Sequence, residues 1–481
     1  MADSISEAPA TAPEPLNRSH SSTRRIWQLA TPVLIQQALI ICVGLFDQFL
    51  AGNYPPADPS QHKDFQAAQT TANYLGWYIS NAMVLVTVGA TAMVSRMIGA
   101  GDRAMANRVM HQSILLAIAF GLLFSTFGLF SIRSVVELLG HDGVSAAMAV
   151  AFLQQLLVLM TFQTIEQAGI ASLIGAGDTR TGFYVLGGVA ILNVPMAYTL
   201  FRGIGDWPGM GLPGIALGTA LAHTMGAIAI LTILARGRAG LKLQLSLFRP
   251  SLDLVRRLLR ISIPASVDTL SMGACQLWFL SLVIAMGSTQ ETAHGIAIRW
   301  ESLGYLSGMA FATAASTLVG QNLGAKRFED AKRLGWTCFA WGCGIMCLMG
   351  SIFFTLAPNM FRLIAPNENQ TDVIEAGVPI LRLVAFAMPA LSCVIIFTGA
   401  LRGAGDTRWP LLFTWIGFLV IRLPLAYFLT RDELNLGPLG SISGYNCGLF
   451  GAWIAMFIDL WLRGLFFLLR FAGGRWRFTR V

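Results

Sequence analysis

Apolar runs long enough to cross a bilayer recur twelve times along this chain, and nothing else in it constrains the fold as strongly. They cover about residues 26–52, 71–98, 107–131, 147–174, 181–203, 212–236, 258–286, 293–323, 330–357, 373–401, 409–430 and 447–470. A helix needs about 20 residues to cross a roughly 30 Å hydrocarbon core. Spans longer than this imply tilt, kinks or ends that pass beyond the lipid. Composition agrees: 12% of residues are charged and the mean hydropathy is +0.62. A soluble domain carries about 25% charged residues, so this chain has too few to cover a water-facing surface. Its 49 glycines suit helices packed closely in lipid.

Lysine and arginine set the orientation, because cytoplasmic loops carry an excess of them. With the N-terminus inside, 24 of the 33 fall in inner segments. Five lie outside (Lys63, Arg133, Arg202, Arg362, Arg431) and four within spans (Arg299, Arg382, Arg422, Arg463). Both termini are therefore expected in the cytoplasm, in the inner membrane of the cell. The same scatter over many loops makes the net charge of +8 a topology signal and argues against nucleic acid.

An internal repeat divides the chain. GAGDTR occurs at Gly175–Arg180 and again at Gly403–Arg408, a shift of 228. NVPMAYTL (Asn193–Leu200) matches RLPLAYFL (Arg422–Leu429), Pro32 matches Pro264, and Met97–Arg108 matches Asn322–Arg333. Each half holds six spans, so the repeat is parallel, about an axis along the membrane normal. The expected fold class is all-α integral membrane, with twelve transmembrane helices in two six-helix bundles. The expected divisions are a disordered cytoplasmic tail (1–25), an N-terminal bundle (26–236), a basic cytoplasmic linker (237–257), a C-terminal bundle (258–470) and a basic cytoplasmic tail (471–481). Residues 1–22 have no apolar core, so no signal peptide is expected.

Two similar bundles in one chain favour alternating access around a central cavity over a channel or a membrane enzyme. The seven cysteines have neither disulfide-framework nor zinc-ligand spacing, and no metal is expected. GAGDTR is not a phosphate loop, since no GxxxxGK[ST] pattern is present. Gly175, Asp178, Gly403 and Asp406 are read as tight turns, with Arg180 and Arg408 at the inner headgroups. Pro32 and Pro264 are read as hinges.

At these motifs the sequence resembles the multidrug and toxic compound extrusion (MATE) family. The resemblance runs from about Ile26 to Arg470. It is carried by LATPVLIQQALIICVGLFDQFLAG (Leu29–Gly52), by TAHGIAIRWESLGYLSGMAFATAASTLVGQNLGA (Thr292–Ala325) and by the two GAGDT turns. It implies export of small amphipathic, often cationic compounds in exchange for entering H⁺ or Na⁺, with no cofactor, no nucleotide and a monomeric state. A flippase for a lipid-linked glycan or other lipid headgroup, as in the wider superfamily, is the alternative, and a polytopic membrane enzyme a more distant one.

Acids inside the membrane are functional hypotheses, since a charge at the bilayer centre costs about 2.5–3.5 kcal/mol on insertion scales. They are Asp47, Glu166, Asp268, Glu301 and Asp459, with Arg299, Arg422 and His223 as companions. Asp47 lies about 22 Å along the helix from Pro32. The resemblance implies that Asp47 couples to the cation or proton, with Asn193 and Thr219 beside it. A further family aspartate is replaced here by Ala197, which weakens a sodium site and favours H⁺. Acids that another branch places on the seventh and tenth helices are Met272 and Leu391 here. Asp268, one turn nearer Pro264, and Glu166 are candidate cavity or relay acids. Glu301 is a third. It stands about 200° round the helix from Arg299, so the two face differently. Arg422 takes the repeat position of Asn193, with Asp459 a possible partner.

The orientation is directly testable. A single cysteine placed in the 237–257 loop is expected to react with impermeant maleimide only after the cytoplasmic side is opened. Labelling from outside intact cells would reverse the topology.

Overall fold

The computed structural model describes residues 20–53, 62–139, 142–364, 371–435 and 441–479. The first half comprises α1 (His20–Asn53), α2 (His62–Ala82), α3 (Val84–Gly99), α4 (Arg103–Leu138), α5 (Gly143–Val158), α6 (Met160–Gly175), α7 (Thr179–Arg202) and α8 (Leu212–Arg236). The second comprises α9 (Leu252–Ile284), α10 (Ser288–Gly324), α11 (Phe328–Ile364), α12 (Thr371–Gly403), α13 (Arg408–Trp415), a π-helical turn (Ile416–Arg422), α14 (Leu423–Thr430) and α15 (Gly448–Ala472). A three-residue strand pair, Glu433–Asn435 with Ser441–Ser443, precedes α15. Among the described residues eleven spans are long and apolar enough to cross a membrane, and the bent pair α5–α6 makes the twelfth. The protein is a twelve-span, all-α, multi-pass membrane protein.

Spans break where a polar group can answer the break. α5 and α6 meet at Leu159 with a bend of 49°. A bend frees carbonyls from the helical ladder, and Ser125 Oγ donates to Leu157 O there (2.6 Å). By contrast, α1 and α9 run on through Pro32 and Pro264. The breaks in spans fall at Met83, at Leu159 and in the π-helical turn, not at the two prolines.

The GAGDTR turns differ from expectation in one respect. Gly175 and Gly403 are the last residues of α6 and α12, and the left-handed positions are Gly177 (φ +93°) and Gly405 (φ +77°). Gly175 and Gly403 serve close approach instead. A Cβ on Gly175 would lie 2.8 Å from Thr91 O, and one on Gly403 would collide with Ser316 O. Asp178 caps α7, accepting from Thr181 N (3.0 Å), Thr181 Oγ1 (2.7 Å) and Arg238 Nε (2.6 Å). Burial pushes its carboxyl up, but the Thr181 bonds and Arg238 outweigh that and hold it below the usual range. In the other half Asp406 accepts from Arg470 Nη2 (2.7 Å). Each turn is thus clamped by an arginine from the end of its own half. Arg180 and Arg408 are exposed.

The boundaries also shift. Residues 20–25, expected in the disordered tail, are helical; residues 1–19 lie outside the described residues. Ile26, Leu29, Ala30 and Val33 of α1 bury against Phe311, Ala314 and Leu318 of α10, so α1 opens against the second half. The linker is stitched to α4: Lys242 N donates to Asn107 Oδ1 (2.7 Å), Gln244 N to His111 Nε2 (2.9 Å) and Ser251 N to Gln112 Oε1 (2.9 Å). It ends early, as α9 begins at Leu252. After α15, Trp476 stacks on Phe471 (4.8 Å), so this stretch of the tail is packed. Residues 480–481 lie outside the described residues.

The halves meet chiefly through α3, which packs on α9 and α10. At the end that carries the basic loops glycines bring the two helices into close contact, two of them against backbone and one against a serine side chain. A Cβ on Gly99 would collide with Gln321 O, one on Gly320 with Ser95 Oγ, and one on Gly324 with Arg96 O. Gln321 also accepts from Arg25 Nη2 (2.7 Å) and donates to Gly175 O (3.0 Å). Overpacking typically costs about 1–3 kcal/mol. Gly324→Leu is therefore expected to part α3 from α10 at this end, and Ser95→Cys in that background should label faster than Ser95→Cys alone. Equal labelling rates would show that the seam does not depend on Gly324.

Candidate functional site

Between the halves lies a cavity of about 460 Å³. Its first-half wall carries no charge: Gln36, Asn81, Thr87, Thr91 and Gln167 stand among apolar residues such as Trp77, Val88 and Ile170. Its second-half wall carries the charge: Asp268, Glu301, Arg402, Arg422 and Arg463. Met272 and Leu391 are part of that wall and are apolar.

Asp268 and Arg402 form a pair, Arg402 Nη2 donating to Asp268 Oδ2 (2.9 Å). Arg402 stands in the last turn of α12, next to the GAGDTR turn. Its side chain instead turns into the cavity, where a buried carboxylate offers more than the headgroups. Glu301 is half-buried and lines the cavity, whereas Arg299 is exposed, as their angular separation requires. Because α10 begins at Ser288, Glu301 sits about 20 Å from that end.

Arg422, Asp459 and Arg463 form a buried triad, at 2%, 0% and 2% exposure. Arg463 donates from Nε to Asp459 Oδ1 and from Nη2 to Oδ2, both at 2.7 Å. Arg422 donates from Nε to Asp459 Oδ2 (2.9 Å). Both guanidiniums lie over Phe418, at 4.4 and 4.5 Å from its ring centre, which adds cation–π attraction. The π-helical turn places Arg422 here; such turns are frequent at functional sites. Arg463 stands four residues after Asp459, a helical-neighbour spacing visible in the sequence that the sequence reading did not use.

Glu166 is not a cavity residue. It is fully buried inside the first bundle, where its Oε2 lies 2.6 Å from His223 Nδ1. Gly226 leaves room for the other carboxylate oxygen, which has no hydrogen-bond partner. The adjacent residue, Gln167, faces the cavity in its place.

Asp47, Asn193 and Thr219 are only partly brought together. Asn193 Nδ2 donates to Thr219 Oγ1 (2.8 Å) and Thr219 Oγ1 to Ile215 O (3.1 Å). Asp47 is bonded to neither; its Oδ1 and Asn193 Oδ1 are both buried without a hydrogen-bond partner. None of the three lines the cavity. Ala197 is fully buried where α7 and α8 touch, a Cβ on Gly218 falling 2.7 Å from its Cα.

Comparison with known proteins gives a consistent picture. The MatE family profile matches residues 32–199 and 264–428, one segment in each half. The chain is 26% identical over 455 residues to the probable multidrug resistance protein NorM of Thermotoga maritima, covering 94% of this chain and 93% of that one. It is 26% identical over 446 residues to the multidrug resistance protein MdtK of Pectobacterium atrosepticum, covering 91% and 94%. Among solved structures, MATE in complex with MaL6 superposes with a TM-score of 0.82 at 20% identity, covering 94% of this chain and 97% of that one. An outward-facing multidrug resistance MATE family transporter superposes with a TM-score of 0.79 over the same shares. At that identity the superpositions establish the fold.

The triad makes one residue critical for stability. Removing one partner of a buried ion pair costs about 3–5 kcal/mol, because the other charge is left uncompensated. Asp459→Asn is expected to lose that much, seen as a lower melting temperature and poor recovery of monodisperse protein in detergent. A wild-type melting temperature would mean that water hydrates the two guanidiniums.

Proposed function

Since the chain belongs to the MatE family, we propose that it is a secondary antiporter, exporting small amphipathic compounds in exchange for an entering cation, H⁺ in preference to Na⁺. The observation that carries this reading is a cavity between two repeated bundles, with a separate half-buried carboxylate, Asp47, whose Oδ1 is buried without a partner. Two relatives named as multidrug resistance proteins, matched over more than nine-tenths of this chain, support export as the direction and drugs as the cargo.

The chemistry of coupling needs a group that changes charge during the cycle. A protonated carboxyl sits cheaply in an apolar bundle, whereas an ionised one requires water or a cation. A ligand moves a conformational equilibrium only by its differential affinity for the two states. One proton on Asp47 would supply such a difference, and Asn193 of α7 and Thr219 of α8, bonded to each other, are the polar pair this reading assigns to the carboxyl. Sodium asks for several oxygen ligands, and the alanine side chain at 197 offers none. Each charge moving down 100 mV is worth about 2.3 kcal/mol, or roughly fifty-fold in substrate gradient at 1.4 kcal/mol per decade. The seam of α3 and α10 would be the closed gate of alternating access, with the basic loops on the cytoplasmic side.

Transport by purified protein in liposomes, with ΔpH and Na⁺ gradients imposed separately, tests this. Wild-type efflux is expected to follow ΔpH without Na⁺. Asp47→Asn is expected to abolish ΔpH-driven efflux while still binding substrate. Full efflux by Asp47→Asn removes Asp47 from the mechanism, and a strict Na⁺ requirement overturns the choice of ion.

A further inference from the structure

Two arginines of the first half reach into the second at the end that carries the basic loops. Arg25 of α1 donates from Nη2 to Gln321 Oε1 of α10 (2.7 Å). Arg96, in the last turn of α3, donates from Nη1 to Thr479 O (2.7 Å), a contact that spans 383 positions and reaches the segment after α15. Arg96 and Gln321 are repeat-related, being the residues immediately before the matched stretches Met97–Arg108 and Asn322–Arg333. From one position of the repeat, each half thus holds a terminal segment of the other: Gln321 holds the start of α1, and Arg96 holds the segment after α15. That segment is fixed to its own half. Gly474 turns the chain in the left-handed conformation (φ +69°), and Trp476, fully buried, stacks on Phe471 and donates from Nε1 to Phe471 O (2.8 Å). Arg477 Nη1 donates to Glu329 Oε1 (2.7 Å) in the first turn of α11. The linker after α8 behaves differently, fastening to α4 and to Asp178 of its own half.

Resting on the reading of the α3–α10 seam as the closed inner gate, we propose that the segment after α15 is a latch on that gate, with the Arg96–Thr479 bond as its catch. Arg96 stands in the seam itself, since a Cβ on Gly324 would collide with its carbonyl oxygen. One residue therefore meets α10 through its backbone and the latch through its side chain. Thr479 travels with the second half, because Trp476 and Arg477 anchor it there. α3 cannot part from α10 without pulling the guanidinium off the Thr479 carbonyl, and hydrogen bonds to charged groups are among the stronger ones. The bond exists only while the gate is closed, so it biases the equilibrium towards that state. The latch sets how often the inner side opens, separately from what the cavity binds.

Ser95→Cys reports on the gate, because position 95 faces Gly320 across the seam. In the purified full-length protein its rate of reaction with maleimide is read by peptide mass spectrometry, with native Cys338, fully buried in the second half, as the control. Two variants remove the catch from opposite sides. Arg96→Leu takes away the donor; a stop after Trp476 takes away Arg477 and Thr479 but leaves the indole stacked on Phe471. Each is expected to speed Ser95→Cys labelling about tenfold, equivalent to 1.4 kcal/mol. The two together should do no more than either alone, because they remove one bond. Unchanged labelling in either variant, or effects that multiply, overturns the proposal. A matching rise at Cys338 with a lowered melting temperature is general loosening and also overturns it. In proteoliposomes, Arg96→Cys joined to Thr479→Cys by a cleavable bis-methanethiosulfonate is expected to stop efflux of a cationic dye, and reduction to restore it. Efflux that continues through the joined pair overturns the latch. Absence of efflux by wild type counts against the antiporter reading alone, and the labelling rates still decide the latch.

Discussion

At the end that carries the basic loops, α3 and α10 approach until backbone meets backbone, and the two halves that wall the cavity are joined there. In lipid there is no hydrophobic force to press two apolar helices together, so close association depends on small residues and polar links. Gly99, Gly320 and Gly324 supply the first, each facing an atom that a Cβ would strike. Gln321 supplies the second by joining Arg25 of α1 to Gly175 at the end of α6, and Thr317 Oγ1 adds a bond to Ile174 O (3.1 Å). Three helices from the first half are thus held to one helix of the second.

Backbone satisfaction governs the rest, because an unpaired peptide group in hydrocarbon costs several kcal/mol. The bend at Leu159 survives because Ser125 takes a freed carbonyl. The linker, which leaves the helical pattern, is bonded along its length to polar side chains of α4 that would otherwise be buried alone. His111 and Gln112 are therefore fastenings for the connection between the halves.

The duplication is kept where the bundles turn and lost where they face each other. Asp178 with Arg238 and Asp406 with Arg470 repeat one clamp in both halves. In the interior, the matched positions Asn193 and Arg422 have diverged: one is half of a neutral amide–hydroxyl pair, the other part of a charged triad. A turn must solve the same geometric problem in each half. The interior is free to differ, and the cavity accordingly has one neutral and one charged wall.

What the sequence determined by itself was whatever depends on distance along the chain. Span length follows from bilayer thickness, the repeat from aligned motifs, and the opposite faces of Arg299 and Glu301 from 3.6 residues per turn. The Asp459–Arg463 pair was equally legible, being one helical turn long. Other features required the tertiary structure, because they depend on which helices become neighbours. Glu166 meets His223 across 57 positions, in space that Gly226 leaves open. Arg402 turns from the loop side into the cavity because Asp268 waits on another helix. The turn glycines proved to be Gly177 and Gly405, with Gly175 and Gly403 required for packing, a distinction that composition cannot make. The π-helical turn brings Arg422 onto Asp459, since one wider turn rotates every later side chain and no periodicity in the residues announces it.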